Sequence, residues 1–299
     1  MRIRSSLVVL GGVRRLIAAV ASAALALFAA PAHAEPAMWV VKDADSTLYL
    51  LGTFHLIKPD MHWRSGKLDT AFKDSDELWL EASDNGDKAA LQKLIVKHGF
   101  DPQNPLSRKL SGDDWVRAQS AAMLAGVPVQ AIDQMRPWLA ALTLVIAPVM
   151  KKGYDPAKGA DKELEANAAA SNKIIKTFET PEQQLLMFSS LPEQLQIEFL
   201  VQTLVDIEAG PQYVDRMADA WLAGDTEELE AMALDRMKTG APELYDAMFV
   251  KRNKDWSDQI AVIMKGAGTS FVAVGAGHLI GDQSVPALLA ERGFTVAPF

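Results

Sequence analysis

The sequence predicts an α/β (α+β) fold: a mixed central sheet built from two similar halves, with flanking helices and a largely helical insertion. Three observations lead there. Short runs rich in β-branched and aromatic residues alternate with stretches of helical periodicity. From about residue 181 to 265 the apolar residues recur at helical spacing and no strand pattern is visible. Residues 48–57 also align without a gap on residues 271–280, each an apolar run leading into Gly-x-x-His-Leu-Ile.

Taken in order, strands are expected at 38–41, 47–51, 77–81, 127–132, 173–179, 271–274 and 294–296. Gly126, Asn172 and Gly293 stand before three of these runs, where a helix C-terminus takes a left-handed residue. Ser111 with Asp114 has the spacing of a helix-capping box. Thr180-Pro181-Glu182-Gln183 has it too, with Pro at the first helical position. The apolar run 138–150 contains Pro148 and is too short to span a bilayer, so it reads as a buried helix. In the helical insertion, Leu185, Leu195, Phe199, Leu204, Met217 and Trp221 mark the inward face, and Gly224-Asp225-Thr226 starts a further helix.

The composition is that of a globular chain, with 299 residues, 49% of them hydrophobic, and no Cys. Without Cys there can be no disulfide, thiolate nucleophile or Cys-ligated metal, so chemistry must rest on His, carboxylates, hydroxyls, Lys/Arg or backbone. Arg2, Arg4, Arg14 and Arg15, an Ala-rich apolar run over 16–30 and Ala32-His33-Ala34 together read as a secretory signal cleaved after Ala34. Residues 35–299 are then one domain, periplasmic or secreted, with no membrane span after cleavage. Cleavage would also leave the chain more acidic than the −8 of the whole sequence, which argues against a nucleic-acid partner.

In open α/β sheets, ligands bind at the carboxyl ends of strands, and Gly after a strand lets the following residues turn across the edge. The two Gly-x-x-His motifs therefore place His55 and His278 at one rim if their strands are central. Glu81 closes the run 77–81, Glu179 closes the run 173–179, and Asp133 is a weaker candidate of the same kind. Glu179 is read first as a cap for the helix that follows. Arg252 lies on an expected helix just before the second His strand and could supply a cation. His62 and His98 are read as structural. Two imidazoles and a carboxylate suit two mechanisms. They can hold a divalent transition metal that activates water, with His55, Glu81 and His278 as ligands. Alternatively, a His acts as general base without metal and a cation stabilises the oxyanion. No Gly-x-Ser-x-Gly, His-Glu-x-x-His, Walker or EF-hand motif occurs, and Gly275-Ala276-Gly277 with Gly281 departs from dinucleotide spacing.

Several motifs occur in a fixed order along the chain. They are Leu51-Gly52-Thr53-Phe54-His55, Met135-Arg136-Pro137-Trp138, Gly153-Tyr154-Asp155, Phe178-Glu179-Thr180 with Glu182-Gln183, Arg252-Asn253, and Val274-Gly275-Ala276-Gly277-His278-Leu279-Ile280-Gly281. This ordered set resembles the TraB/GumN family, within a wider group that includes the TIKI metalloproteases, the pheromone-shutdown proteins and, more distantly, the erythromycin esterases. The resemblance implies a site in which His55 and His278 are the motif histidines, Glu81 the glutamate ending the next strand and Arg252 the arginine ahead of the second motif. The TIKI branch resembles metal-dependent peptidases, the esterase branch opens a lactone without requiring metal, and the GumN branch is named for exopolysaccharide synthesis. The expectation is thus an exported hydrolase of a peptide or ester, with His55, Glu81 and His278 activating water and Arg252 stabilising the oxyanion. The alternative is a non-catalytic binding or accessory protein that takes a peptide, glycan or haem ligand.

Overall fold

The computed structural model describes residues 35–83, 87–210 and 212–299. The signal segment expected at 1–34 lies outside the described residues. The sheet has six strands, β1 (Met38–Lys42), β2 (Ser46–Thr53), β3 (Glu77–Leu80), β4 (Ile174–Thr177), β5 (Gly268–Gly275) and β6 (Thr295–Pro298). Their spatial order is β4-β3-β5-β2-β1-β6. The first four in that order run parallel, and β1 is antiparallel to both β2 and β6. The sheet is therefore mixed, and β2, β3, β4 and β5 all end at one edge.

Alternation along the strands divides the core into two faces. Leu51, Leu78, Leu80, Phe271 and Ala273 point to one face and pack on Leu68 and Phe72 of the helix Gly66–Asp74, Leu164 of the helix Ala160–Ala170, and Trp221. Leu48, Leu50, Val272 and Val274 point to the other and meet Trp256 and Ile260 of the helix Lys251–Ile263 and Leu289 of the helix Val285–Glu291. The two copies of the internal repeat, β2 and β5, are adjacent and parallel. Tyr49 pairs with Phe271 and Thr53 with Gly275, so the copies are offset by one residue from their sequence alignment.

The expected local signals are present. Gly126, Asn172 and Gly293 all have positive φ. Ser111 accepts from Asp114 N, and Thr180 with Gln183 forms a complete capping box. The region after Pro181 is helical as far as Ile263. The strand expected at 127–132 is a short helix instead, Val129–Asp133, with Pro128 at its N-cap. Val127 N closes the preceding helix on Ala122 O, and Pro128 has no N–H to give a ladder. Ile132 then packs with Ala118, Leu144 and Leu200 in an all-helical core. That core joins helices from before and after β4, namely Gly112–Ala125, Pro137–Lys151 and Glu193–Glu208, so the helical layer draws on more of the chain than the single insertion expected. Among the described residues, no helix is long and apolar enough to cross a membrane.

Phe271, fully buried in β5, meets Phe72 edge-on at 5.4 Å and Tyr49 at 6.5 Å. Phe271→Ala should lower unfolding stability by about 3–5 kcal/mol, measured as a shifted urea midpoint at unchanged slope. A near-neutral result would mean that this face is not part of the cooperative core.

Candidate active site at the carboxyl edge of the sheet

The shared edge gathers the residues that follow β2, β3, β4 and β5. Phe178 N and Glu179 N continue the ladder onto Leu80 O and Glu81 O at 2.9 and 2.8 Å, which sets Glu81 and Glu179 side by side. Gly275 marks the centre. A Cβ added there would lie 3.0 Å from Glu81 Oε1, 3.2 Å from His55 Nε2 and 3.7 Å from His278 Cδ2. His55, Glu81 and His278 thus converge on one point, which only Gly leaves open.

His278 is 4% exposed, in a one-turn helix, Ala276–His278, directly after β5. Its ring lies between Trp256, at 4.4 Å, and Phe249, at 5.0 Å. Asn253 Nδ2 donates to Gln283 O at 2.7 Å, which turns Asn253 Oδ1 toward His278 Nδ1 at 2.6 Å. Nδ1 is therefore the donor, and Nε2 accepts from Arg252 Nη1 at 3.0 Å. Desolvation first, with the Arg252 charge added, outweighs the attraction of Glu81 and pushes His278 down to about 3. The ring stays neutral.

Arg252 spends all its N–H groups within the site. Nε and Nη2 form a bidentate pair with Glu179 at 2.8 and 2.9 Å, Nη2 also reaches Glu81 Oε2 at 2.9 Å, and Nη1 donates to Met248 O at 3.2 Å as well as facing His278. The Met248 carbonyl comes from a π-helical turn, Asp246–Val250, a feature that recurs at functional sites. Glu179 is accordingly an arginine clamp, also accepting from Trp256 Nε1 at 3.1 Å, and not the helix cap expected, since Thr180 fills that role. Glu81 accepts from Gly275 N at 2.6 Å and from Gln184 Nε2 at 3.2 Å. Burial alone would raise its pKa, but the charges of His278 (when protonated), His55 and Arg252, with the Gly275 N–H, hold it at about 2.

His55 has the opposite surroundings. It follows β2 in an open loop, and its side chain is 56% exposed. Asp161 Oδ1, in the first turn of the helix Ala160–Ala170, lies 3.2 Å from Nδ1. Gly159 permits this approach, because a Cβ there would fall 2.6 Å from His55 O and 2.7 Å from Asp161 Oδ1. Desolvation by the crowding loops pulls the ring pKa down, but Asp161, helped by Glu81, overrides it and raises it to about 9. Water at the exposed edge screens those charges, so the upward direction is what bears on chemistry.

The sequence-predicted residues His55, Glu81, Arg252 and His278 are therefore brought together. Asp133 is not among them: it ends a helix and accepts from Ser107 N at 2.8 Å. The carbonyl of His98 accepts from Trp138 Nε1, and His62 is exposed. Asp161 was not anticipated. Its one sequence signal is an acid in the first turn of a helix, and only the fold brings that turn, through Ala160 N to Phe54 O, onto the His55 loop. As arranged, the donor set does not fit a divalent metal. No three His, Asp or Glu side chains among the described residues are grouped to hold one. His278 also has both nitrogens engaged, one of them facing a guanidinium.

A mixed sheet with two Gly-x-x-His strands side by side, and His, Glu and Arg at their ends, defines a class of protein. Residues 37–298 match the TraB/PrgY/gumN family, to which this chain belongs. The chain is similar to the uncharacterized protein YbaP of Escherichia coli (strain K12), 23% identical over 254 residues that cover 85% of this chain and 92% of that protein. YbaP of Shigella flexneri gives the same identity and coverage. An uncharacterized protein of Treponema pallidum (strain Nichols) is 21% identical over 275 residues, covering 87% of this chain and 82% of its own length. No solved structure matches the chain.

The two histidines pull stability in opposite directions with pH. Below 6.5 an unfolded His278 takes up a proton that the native ring refuses until about 3, so native stability falls with pH in that window. The contribution of His55 is full below 6.5 and is lost as pH rises through its raised pKa. Urea unfolding of the wild type should show stability declining from pH 6.5 to 5, and His278→Gln should flatten that slope. An unchanged slope in the variant would refute a buried neutral His278.

Proposed function

We propose that this chain is an exported hydrolase that attacks an ester or amide carbonyl with water, using the His55–Asp161 pair as its proton-transfer group. The observation that carries the reading is the placement of His55 Nε2, which faces the Gly275 point beside Glu81 Oε1 while Asp161 Oδ1 lies 3.2 Å from Nδ1. An imidazole with a carboxylate beside one nitrogen and the other nitrogen open is an arrangement suited to general-base catalysis. Water adds to the carbonyl carbon as its proton passes to Nε2. That proton then moves to the leaving oxygen or nitrogen as its bond to carbon breaks, giving an acid and an alcohol or amine. Arg252 and His278 act as positioning residues: Arg252 fixes Glu81, and the neutral His278 fixes one edge of Arg252.

A second reading, a binding protein for a peptide or glycan without turnover, is favoured by one fact. The donors of Arg252 and the oxygens of Glu81 are all engaged, leaving His55 Nε2 to meet a ligand. A panel of peptide and ester substrates separates the readings. For the hydrolase, His55→Ala should cost about 100- to 10,000-fold in kcat/KM. Because neutral His55 is the base, the wild-type rate should climb with pH through neutrality and level off only above the ordinary histidine range, where the ring has lost its proton. Asp161→Asn should move that limb to lower pH and depress its plateau. Activity that disappears on chelation and returns with a divalent metal would overturn the metal-free route, whereas ligand binding with no turnover would favour the second reading. Export is tested separately: the N-terminus of the protein recovered from the cell envelope should be Glu35.

A further inference from the structure

We propose that the groove between the helices Lys88–Gly99 and Pro181–Ser189 is the subsite for the substrate's acyl group, and that it takes an uncharged aliphatic chain. This rests on the hydrolase reading and adds a substrate class to it.

The groove is a cavity of about 510 Å³, within the roughly 300–1,000 Å³ typical of small-molecule sites. Its floor is apolar, formed by Ala90, Leu91 and Leu94 on one side and Pro181 on the other. The helix Lys88–Gly99 is built as though it lacks a partner on this side. Gly99 is its one buried residue, and Leu91 and Leu94, which line the groove, are only partly covered. Two of the polar groups at the groove, Asp87 and Thr180, are engaged in local structure. Asp87 accepts from Ala89 N and Ala90 N, and Thr180 accepts from Gln183 N. These caps satisfy the helix N-termini that would otherwise attract an anion. Asp87, Lys88 and Glu182 are the charged residues of the lining. The apolar part of such a lining recognises an uncharged hydrocarbon.

One wall of the groove is tied to the reaction point. That wall, Thr180–Glu182, follows directly on Glu179, which clamps Arg252, and one turn further along the same helix Gln184 Nε2 donates to Glu81 Oε2 at 3.2 Å. An acyl chain lying here would present its carbonyl toward Glu81 and His55. Other cavities among the described residues lack such a tie; one of about 400 Å³ is lined by Phe72, Asp76, Asn167 and Lys173. One of about 270 Å³ lies at the opposite edge of the sheet, among the first residues of β2, β3 and β5, and one of about 290 Å³ lies among Leu124, Val145 and Val214 in the helical layer.

The test compares p-nitrophenyl acetate with p-nitrophenyl octanoate, and titrates octanamide into His55→Ala, where binding is read without turnover. The wild type should favour octanoate over acetate in kcat/KM by roughly tenfold or more. Leu94→Glu, which puts a charge on the floor, and Ala90→Trp, which fills it, should each reduce that ratio toward one and weaken octanamide binding by about tenfold or more. Unchanged thermal unfolding would confirm that both variants fold, and either alone suffices. A ratio near one in the wild type, or one that survives both variants, overturns the groove assignment, as does octanamide binding that neither variant weakens. If no ester is turned over but octanamide binds and Leu94→Glu weakens it, the hydrolase reading fails and the aliphatic site stands.

Discussion

A guanidinium taken out of water must find an acceptor for each N–H or destabilise the fold around it. The structure of this site follows from that demand at Arg252. Glu179 meets two of its donors, Glu81 a third, and Met248 O and His278 Nε2 share Nη1, while Trp256 lies 4.6 Å from the guanidinium carbon. These acceptors come from the ends of β3 and β4, from the π-turn before the helix that carries Arg252, and from the turn after β5. One side chain therefore ties together four pieces of the carboxyl edge. The charges of Glu81 and Glu179, with the hydrogen bond from Nε, in turn keep the guanidinium protonated against the desolvation that burial imposes.

The two Gly-x-x-His copies begin as near-identical local sequences and end with opposite chemistry. After β5 the chain turns immediately, and His278 is driven between Trp256 and Phe249 beside a cation, where only a neutral ring is tolerated. After β2 the chain continues to Ile57, which bridges Asp155, and His55 is left at the surface beside Asp161. Two like groups whose environments push their pKa values apart are how one site can hold both a rigid neutral partner and a group that exchanges protons. The one-residue offset in the β2–β5 register belongs to the same asymmetry, since it sets Gly275 beside Thr53 rather than Gly52 beside Gly275.

Much of the framework is legible without the structure. The left-handed Gly126, Asn172 and Gly293, the Thr180–Gln183 capping box and the alternation in β2 and β5 are interactions among contiguous residues, so the sequence of each segment suffices to specify them. The rule that parallel strands present ligand groups at their carboxyl ends then collects His55, Glu81, Glu179 and His278 at one rim. The segment 127–132 shows where local reading fails: a β-rich run of strand length becomes a helix because Pro128 cannot join a ladder and Ile132 is claimed by the helical core.

By itself, then, the sequence determined the α/β class, the approximate place of the six strands, the repeated motif and the identity of four rim residues, because each depends on short-range backbone preference or on strand periodicity. Only the tertiary structure decided what those residues do to one another. That Asp161 reaches His55 from more than a hundred residues downstream, that Glu179 clamps Arg252 instead of capping its helix, and that Asn253 sets the tautomer of His278 all depend on side chains meeting across separate elements. Such contacts are set by how helices and strands pack, and no local pattern in the chain records them.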